Sequence, residues 1–174
     1  MDSKILVFLA FLVGAVTTAP RISAQSGTQY DDPVNKFKIL MIGDWRAVSY
    51  SDAVGRPKTD FVYRDRSEGL LKITHENLGT RSLPEFLQDE EDAMRMSHAA
   101  FEMGGIEDCA AGDLHGSRMS YFYKLGTQGI AVTNYFLKDG DKLWELRFTG
   151  KRGVVDQIRN ITDQMARSFR PYQQ

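Results

Sequence analysis

Ser117-Arg-Met-Ser-Tyr-Phe-Tyr-Lys124, Ile130-Ala-Val-Thr-Asn-Tyr-Phe-Leu137 and Lys142-Leu-Trp-Glu-Leu-Arg-Phe-Thr149 follow one another along the chain. All three are rich in aromatic and β-branched residues, which favour strands. Gly126-Thr-Gln-Gly129 separates the first two, and Asp139-Gly140 turns the second into the third. Asp-Gly between apolar runs is a strong hairpin signal. The stretch predicts a three-strand antiparallel meander. Val154, Ile158, Ile161, Met165 and Phe169 then recur at helical spacing, which predicts an amphipathic helix from about Arg152 to Phe169. The whole segment contains no catalytic motif.

Upstream, Phe37-Lys-Ile-Leu-Met-Ile42 reads as a strand that is apolar on both faces. Trp45 to Tyr50 reads as a second extended piece, and Ser51 to Lys58 as a loop with Gly55 and Pro57. Phe61–Arg64 and Leu70–His75 form a hairpin around Arg66-Ser-Glu-Gly69. Ser82-Leu-Pro-Glu85 is a capping box opening a helix. Leu83, Phe86, Leu87, Met94, Ser97 and Phe101 lie on one of its faces, and Gly104-Gly105 is expected to stop it. Residues 106–116 fit a short strand or a loop, with Gly112 and Gly116 as breakers.

Both helices carry one apolar face, whereas the strands carry apolar residues on two. Such a sheet needs cover on both sides. The expected fold class is α+β: an α/β/α sandwich of a mostly antiparallel sheet, with a C-terminal meander and two main helices packed on it.

The chain has 174 residues, so one domain is expected. A formal net charge of −1 gives no electrostatic case for nucleic acid. Cys109 is the single cysteine, which excludes an internal disulfide and a CxxC site. At the N-terminus, Lys4 precedes an apolar run from Ile5 to Val13, and Ile22-Ser23-Ala24 offers a cleavage pattern before Gln25. This is the form of a secretory signal peptide. The apolar run is shorter than the ~20 residues of a spanning helix. The expected organisation is a signal peptide at 1–24, a lead-in at 25–36 and one domain at 37–171. The expected location is secreted or periplasmic, with no transmembrane segment after cleavage.

Tyr30-Asp-Asp-Pro33, Phe37 and Trp45, the Asp139-Gly-Asp-Lys-Leu-Trp144 hairpin and the Ala166-Arg-Ser-Phe169 ending together resemble the PsbP family, extrinsic luminal subunits of photosystem II and their bacterial relatives. The resemblance covers roughly residues 30–171. A proline that usually precedes the family's tryptophan is replaced by Ile42-Gly43-Asp44. The resemblance implies a PsbP-like fold, which also occurs in envelope proteins of the DcrB and LpqN type. It implies a non-catalytic, monomeric binding module on a protein complex or membrane-associated partner, or an envelope chaperone. Calcium is the one cofactor it suggests, and no calcium-loop pattern of alternating oxygens accompanies it.

The residues offer few sites of their own. His75-Glu76 begins like a zinc-protease helix, but Gly79 stands where the second histidine belongs. His75 alternates with Leu71 and Ile73, so it is expected on a covered face of the sheet. Asp108, Asp113 and His115, beside Cys109, are the candidate metal ligands, at a spacing that matches no known site. A metal-dependent or hydrolase-like enzyme would use His75, His98 or His115. Asp89-Glu-Glu-Asp92 looks like a cation site, but consecutive helical residues diverge around the axis. Glu90 falls in the apolar stripe, so it needs a partner: the Tyr121 or Tyr123 hydroxyl, or a basic side chain.

Overall fold

The structure, a computed structural model, describes residues 27–172. The expected signal peptide lies outside the described residues. Gly27–Asp32 forms β1, although it was expected as lead-in. Its side chains are polar and mostly exposed, so no apolar alternation announces it. Asp32 ends it: its carboxylate accepts the Val34 and Asn35 amides at 3.0 and 2.8 Å. This Asx turn gives the Asp32-Pro33 pair a structural task. The chain then enters β2, Phe37–Ile42. Gly43, at φ 66°, makes the tight turn into β3, Trp45–Ser51. A left-handed residue there explains why glycine suits this turn.

The remaining elements follow in order: β4 Pro57–Tyr63, β5 Gly69–Asn77, α1 Leu83–Ser97, β6 Glu102–Ala111, β7 Leu114–Leu125, β8 Gln128–Asp139, β9 Lys142–Lys151, α2 Arg152–Gln157, α3 Arg159–Ser168 and β10 Arg170–Pro171. β1, β2 and β10 form a three-stranded sheet, and the other strands a seven-stranded one ordered β3-β4-β5-β9-β8-β7-β6. All pairings among the described residues are antiparallel. The antiparallel α+β reading therefore stands. No helix among the described residues is long and apolar enough to cross a membrane.

Two apolar clusters lie on the two faces of the large sheet. Trp144, Leu146 and Phe148 join Phe37, Ile39, Met165 and Phe169 on one face, under the small sheet and α3. Met119, Tyr121, Val132 and Leu143 join Phe86 and Leu87 of α1 on the other. Trp144, buried in the first cluster, meets Phe37 and Phe169 edge-on at 6.1 and 5.1 Å. Of the aromatic residues in the meander, Tyr121, Tyr135, Phe136 and Trp144 are buried and belong to these cores.

Two helix boundaries differ from expectation. The capping box at Ser82 and Glu85 forms. The helix, however, stops at Ser97, not at Gly104-Gly105. Ser97 Oγ donates back to the Ala93 carbonyl at 2.7 Å, and the His98 ring packs on Tyr123 at 4.1 Å. Phe101 still meets Tyr121, at 5.5 Å, but from an extended chain. Gly104-Gly105 makes a bulge inside β6, where the register shifts. The second helix breaks at Ile158 into α2 and α3, and the Ile161 amide reaches the Ile158 carbonyl in a tight turn.

Asp89–Asp92 diverge as expected. Asp89 lies 3.6 Å from Arg81, Glu91 pairs with Arg95 at 2.6 Å, and Asp92 accepts from Gln88. Glu90 faces Arg147 at 3.9 Å, so its partner is the basic side chain. The Tyr121 hydroxyl goes instead to Met94 Sδ. Burial first, and then the neighbouring Glu145 carboxylate, push the Glu90 carboxyl above its ordinary 4.5. A value raised by folding favours the neutral form. The stabilisation is complete below about pH 4.5 and is lost as pH rises through the folded value. Glu90→Gln should therefore flatten this pH dependence and raise stability at pH 7 by less than about 1 kcal/mol. Melting curves of both proteins between acid and neutral pH check this; a parallel fall in the variant would assign the slope elsewhere.

Candidate functional site: a charged cleft at the hairpin end

At one end of the large sheet, five separated segments meet around Trp144. The Asp32–Lys36 turn supplies Lys36, and the end of β5 supplies His75 and Asn77. The β6–β7 turn supplies Asp113, and the β8–β9 hairpin supplies Asp139, Asp141 and Lys142. Arg170 closes the remaining side from β10. The cleft they line has a volume of about 880 Å³.

Local chemistry places these groups. Gly140, at φ 62°, makes the tight turn that sets Asp139 and Asp141 at its rim. Trp144 forms the floor; its indole Nε1 donates to Asp139 Oδ2 at 3.4 Å. Lys142 lies over the indole ring at 5.1 Å, a cation–π contact. Gly112 leaves room for the Arg170 guanidinium, which donates to the Arg167 and Phe169 carbonyls at 2.7 and 2.6 Å.

Lys36, Lys142 and Arg170 carry positive charge into the cleft, and Asp113, Asp139 and Asp141 negative charge. None of the six forms an ion pair with another described residue. Elsewhere on the molecule some charges pair closely. Arg118, almost buried, holds Glu107 at 2.7 Å and Asp163 at 3.3 Å, and Tyr135 donates to the same aspartate. That network clamps α3 to the sheet. The six cleft charges carry no such ion pair and share one hollow.

His75 corrects an expectation. It is exposed at the cleft rim, not held on a covered face. Its ring stands edge-on to Trp144 at 4.9 Å. Desolvation, and then the Lys142 and Lys58 charges, hold it below its ordinary 6.5. An imidazole so placed is neutral at pH 7 and presents one donor and one acceptor.

The three histidines lie apart. His98 caps α1 against Tyr123, and its Nδ1 is 2.8 Å from Ser97 Oγ. His115 lines a second, open hollow of about 460 Å³ near the start of α1, with Asp108 and Cys109. Burial pushes the Cys109 thiol up to about 11, so it is not a reactive thiolate at neutral pH. Asp113 is in the Trp144 cleft, away from Asp108 and His115. Among the described residues, no group of three or more histidine, cysteine or acidic side chains lies close enough to hold a metal ion. Lys36, Asp139, Asp141, Lys142 and Arg170 were not read as site residues. Their turns were legible, but nothing in the sequence shows that they converge.

Comparison with solved structures places this architecture. Cyanobacterial PsbP from Synechocystis sp. PCC 6803 aligns with a TM-score of 0.57 at 16% identity, over 91% of this chain and 100% of its own. LpqN of Mycobacterium tuberculosis, involved in cell envelope biogenesis, aligns at 0.65 and 10% identity, over 86% and 92%. The Saccharomyces cerevisiae Ran-binding protein Mog1p aligns at 0.60 and 10% identity, over 85% and 96%. The chain has the PsbP-like fold. At these identities the likeness carries the fold alone. No protein-family model matches the chain, and no curated protein matches it in sequence. Within the PsbP-like fold, the Asp139–Trp144 hairpin and the Ala166–Phe169 ending occupy connected places: one forms the cleft's rim and floor, and the other seats Phe169 against Trp144.

Proposed function

We propose that this chain is an exported accessory module that binds a partner protein through the Trp144 cleft. Residues 1–24 act as its secretory signal, and residues 37–171, with β1 added, work as one monomeric α/β/α domain. The partner is a protein complex or a membrane-associated protein. The observation that carries the reading is the set of six charged side chains around an aromatic floor, none of them ion-paired with another described residue. Fixed charges of both signs suit a polar protein surface, where complementarity sets register and speeds encounter. Related folds support a binding role, since Mog1p is by its name Ran-binding. An envelope chaperone for apolar segments has less support. The large exposed apolar side chains Val34, Tyr50, Val54, Met96, Ile106 and Leu125 are dispersed over separate segments of the chain.

Expression of the full chain in a bacterial host, with a photo-crosslinking residue at Asp141, tests this. The expected product lies outside the cytoplasm, starts at Gln25 by intact mass, and yields one discrete adduct. Charge reversal at Lys36 or Lys142 should reduce that adduct severalfold. A cytoplasmic product retaining residues 1–24 would overturn export, and an adduct indifferent to both reversals would overturn the cleft as the binding surface.

A further inference from the structure

β5 is an interior strand in the order of the large sheet, yet Lys72, Thr74, His75, Glu76 and Asn77 are all exposed. The register explains this. β4 pairs with β3 along its full length, Pro57 to Tyr63, but with β5 only through Phe61–Tyr63 and Gly69–Leu71. β5 continues to Asn77 paired with β9 alone. The sheet therefore forks, and the edge of β5 from Lys72 to Asn77 that looks toward β4 has no strand partner. Beyond the strand, the Leu78 amide reaches the Asp141 carbonyl on the β9 side. Alternation along a strand then turns the backbone groups of Ile73, His75 and Asn77 into the fork.

The charges along the fork are one-sided. Lys58, Lys72 and Lys142 have no acidic partner among the described residues, while the acids beside them are engaged. Asp60 pairs with Arg66, Glu76 lies 3.7 Å from Arg81, and Glu145 pairs with Arg147 at 2.9 Å. Asp139 and Asp141 lie beyond, at the hairpin tip of the cleft. An open strand edge is a template for an added strand. Here the flanking lysines repel a second copy of the same edge and attract an acidic one.

We propose that the open edge of β5 takes up an extended, acidic segment of a partner polypeptide as an added strand, running from the fork into the Trp144 cleft. This deepens the binding reading above and rests on it. Six residues of β5 would be paired, about 20 Å of strand. Main-chain hydrogen bonds to Ile73, His75 and Asn77 would hold the segment. Lys58 and Lys72 would select acidic side chains on one of its faces. On the other face, Lys142 and the neutral His75 would meet it at the cleft.

The test uses the full chain and a short fluorescent peptide of alternating glutamate and valine, with its lysine–valine counterpart as control. The acidic peptide should bind saturably, the basic one should not, and amide exchange should slow at Ile73, His75 and Asn77. Lys58→Glu and Lys72→Glu should each weaken binding roughly fivefold, both being exposed positions whose reversal leaves the fold intact. No acidic-peptide binding at millimolar concentration, equal binding of the two peptides, or protection elsewhere would overturn the proposal. So would phosphatidylglycerol vesicles that bind the protein and are not displaced by the acidic peptide. An adduct from Asp141 without acidic-peptide binding would remove strand addition and leave the cleft reading standing.

Discussion

Phe169→Ala should destabilise the protein by about 3–5 kcal/mol, the range for emptying a fully buried aromatic site. Phe169 is 0% exposed. It follows α3, and its amide closes on the Ala166 carbonyl before the chain crosses into β10. Its ring meets Phe37 of the small sheet at 5.6 Å and Trp144 of the large sheet at 5.1 Å. One side chain therefore joins three parts of the fold that are far apart in sequence. None can collapse into the vacated space without moving a strand. A domain of this size has a total stability of ~5–15 kcal/mol, so the variant would be marginal. Urea unfolding of the mature chain measures the loss. Val54→Ala is the control: that side chain is 72% exposed and its change should stay within about 0.5 kcal/mol. A loss at Phe169 no larger than at Val54 would mean that the two sheets do not share this core. Trp144 also floors the cleft, so weaker partner binding by Phe169→Ala would report the floor and not a direct contact.

What was legible in the sequence follows how local each signal is. The meander was readable because its strands alternate and Asp139-Gly140 encodes the turn between two of them. The capping box was readable because Ser82 and Glu85 meet within one turn. β6 was not, because Glu102–Ala111 holds two glycines, three acids and no long apolar alternation. Phe101, by chance of spacing, extended the helical stripe past the true end of α1. β2 was legible as a strand, but only the Phe37, Ile39 and Met41 face is fully covered, with Lys38 exposed and Leu40 half-buried on the other, and nothing in Phe37–Ile42 says that it pairs in a separate sheet.

The candidate site was less legible for the same reason. His75 was expected under cover because Leu71, Ile73 and His75 alternate. Leu71 is fully buried, but cover ends where β4 leaves β5, and that departure is a tertiary event. The charges of the cleft arrive from four turns and strand ends whose meeting no local pattern records. By contrast, Asp108, Cys109, Asp113 and His115 looked like one cluster because they are neighbours in sequence, yet only Asp108, Cys109 and His115 share a hollow. Across a hairpin such neighbours alternate between faces, which sends Cys109 toward the small-sheet core and Asp113 into the other cleft.

The two glycines of that hairpin show how far one residue type can differ in role. Gly112, at φ 61°, makes the β6–β7 turn. Gly116 is not a breaker but lies inside β7, opposite Cys109 on one side and Leu137 on the other. A β-carbon there would overlap the Phe136 carbonyl oxygen and stand 2.8 Å from its carbon and 3.1 Å from the Leu137 Cα. These are backbone atoms of a central strand and have no rotamer to adopt. Strand glycines of this kind mark a close backbone approach. Gly116→Ala must part β7 from β8, at a cost of about 3 kcal/mol and a melting temperature lower by ~6–12 °C. Gly153→Ala provides the contrast, since nothing lies within 4 Å of its added carbon and it sits in α2. It should be neutral or stabilising by up to about 1 kcal/mol. Calorimetry of the two variants decides the matter. If Gly116→Ala melts with the parent protein, β7 and β8 are not as close as their register requires, and the meander that organises the sheet is packed differently at that point.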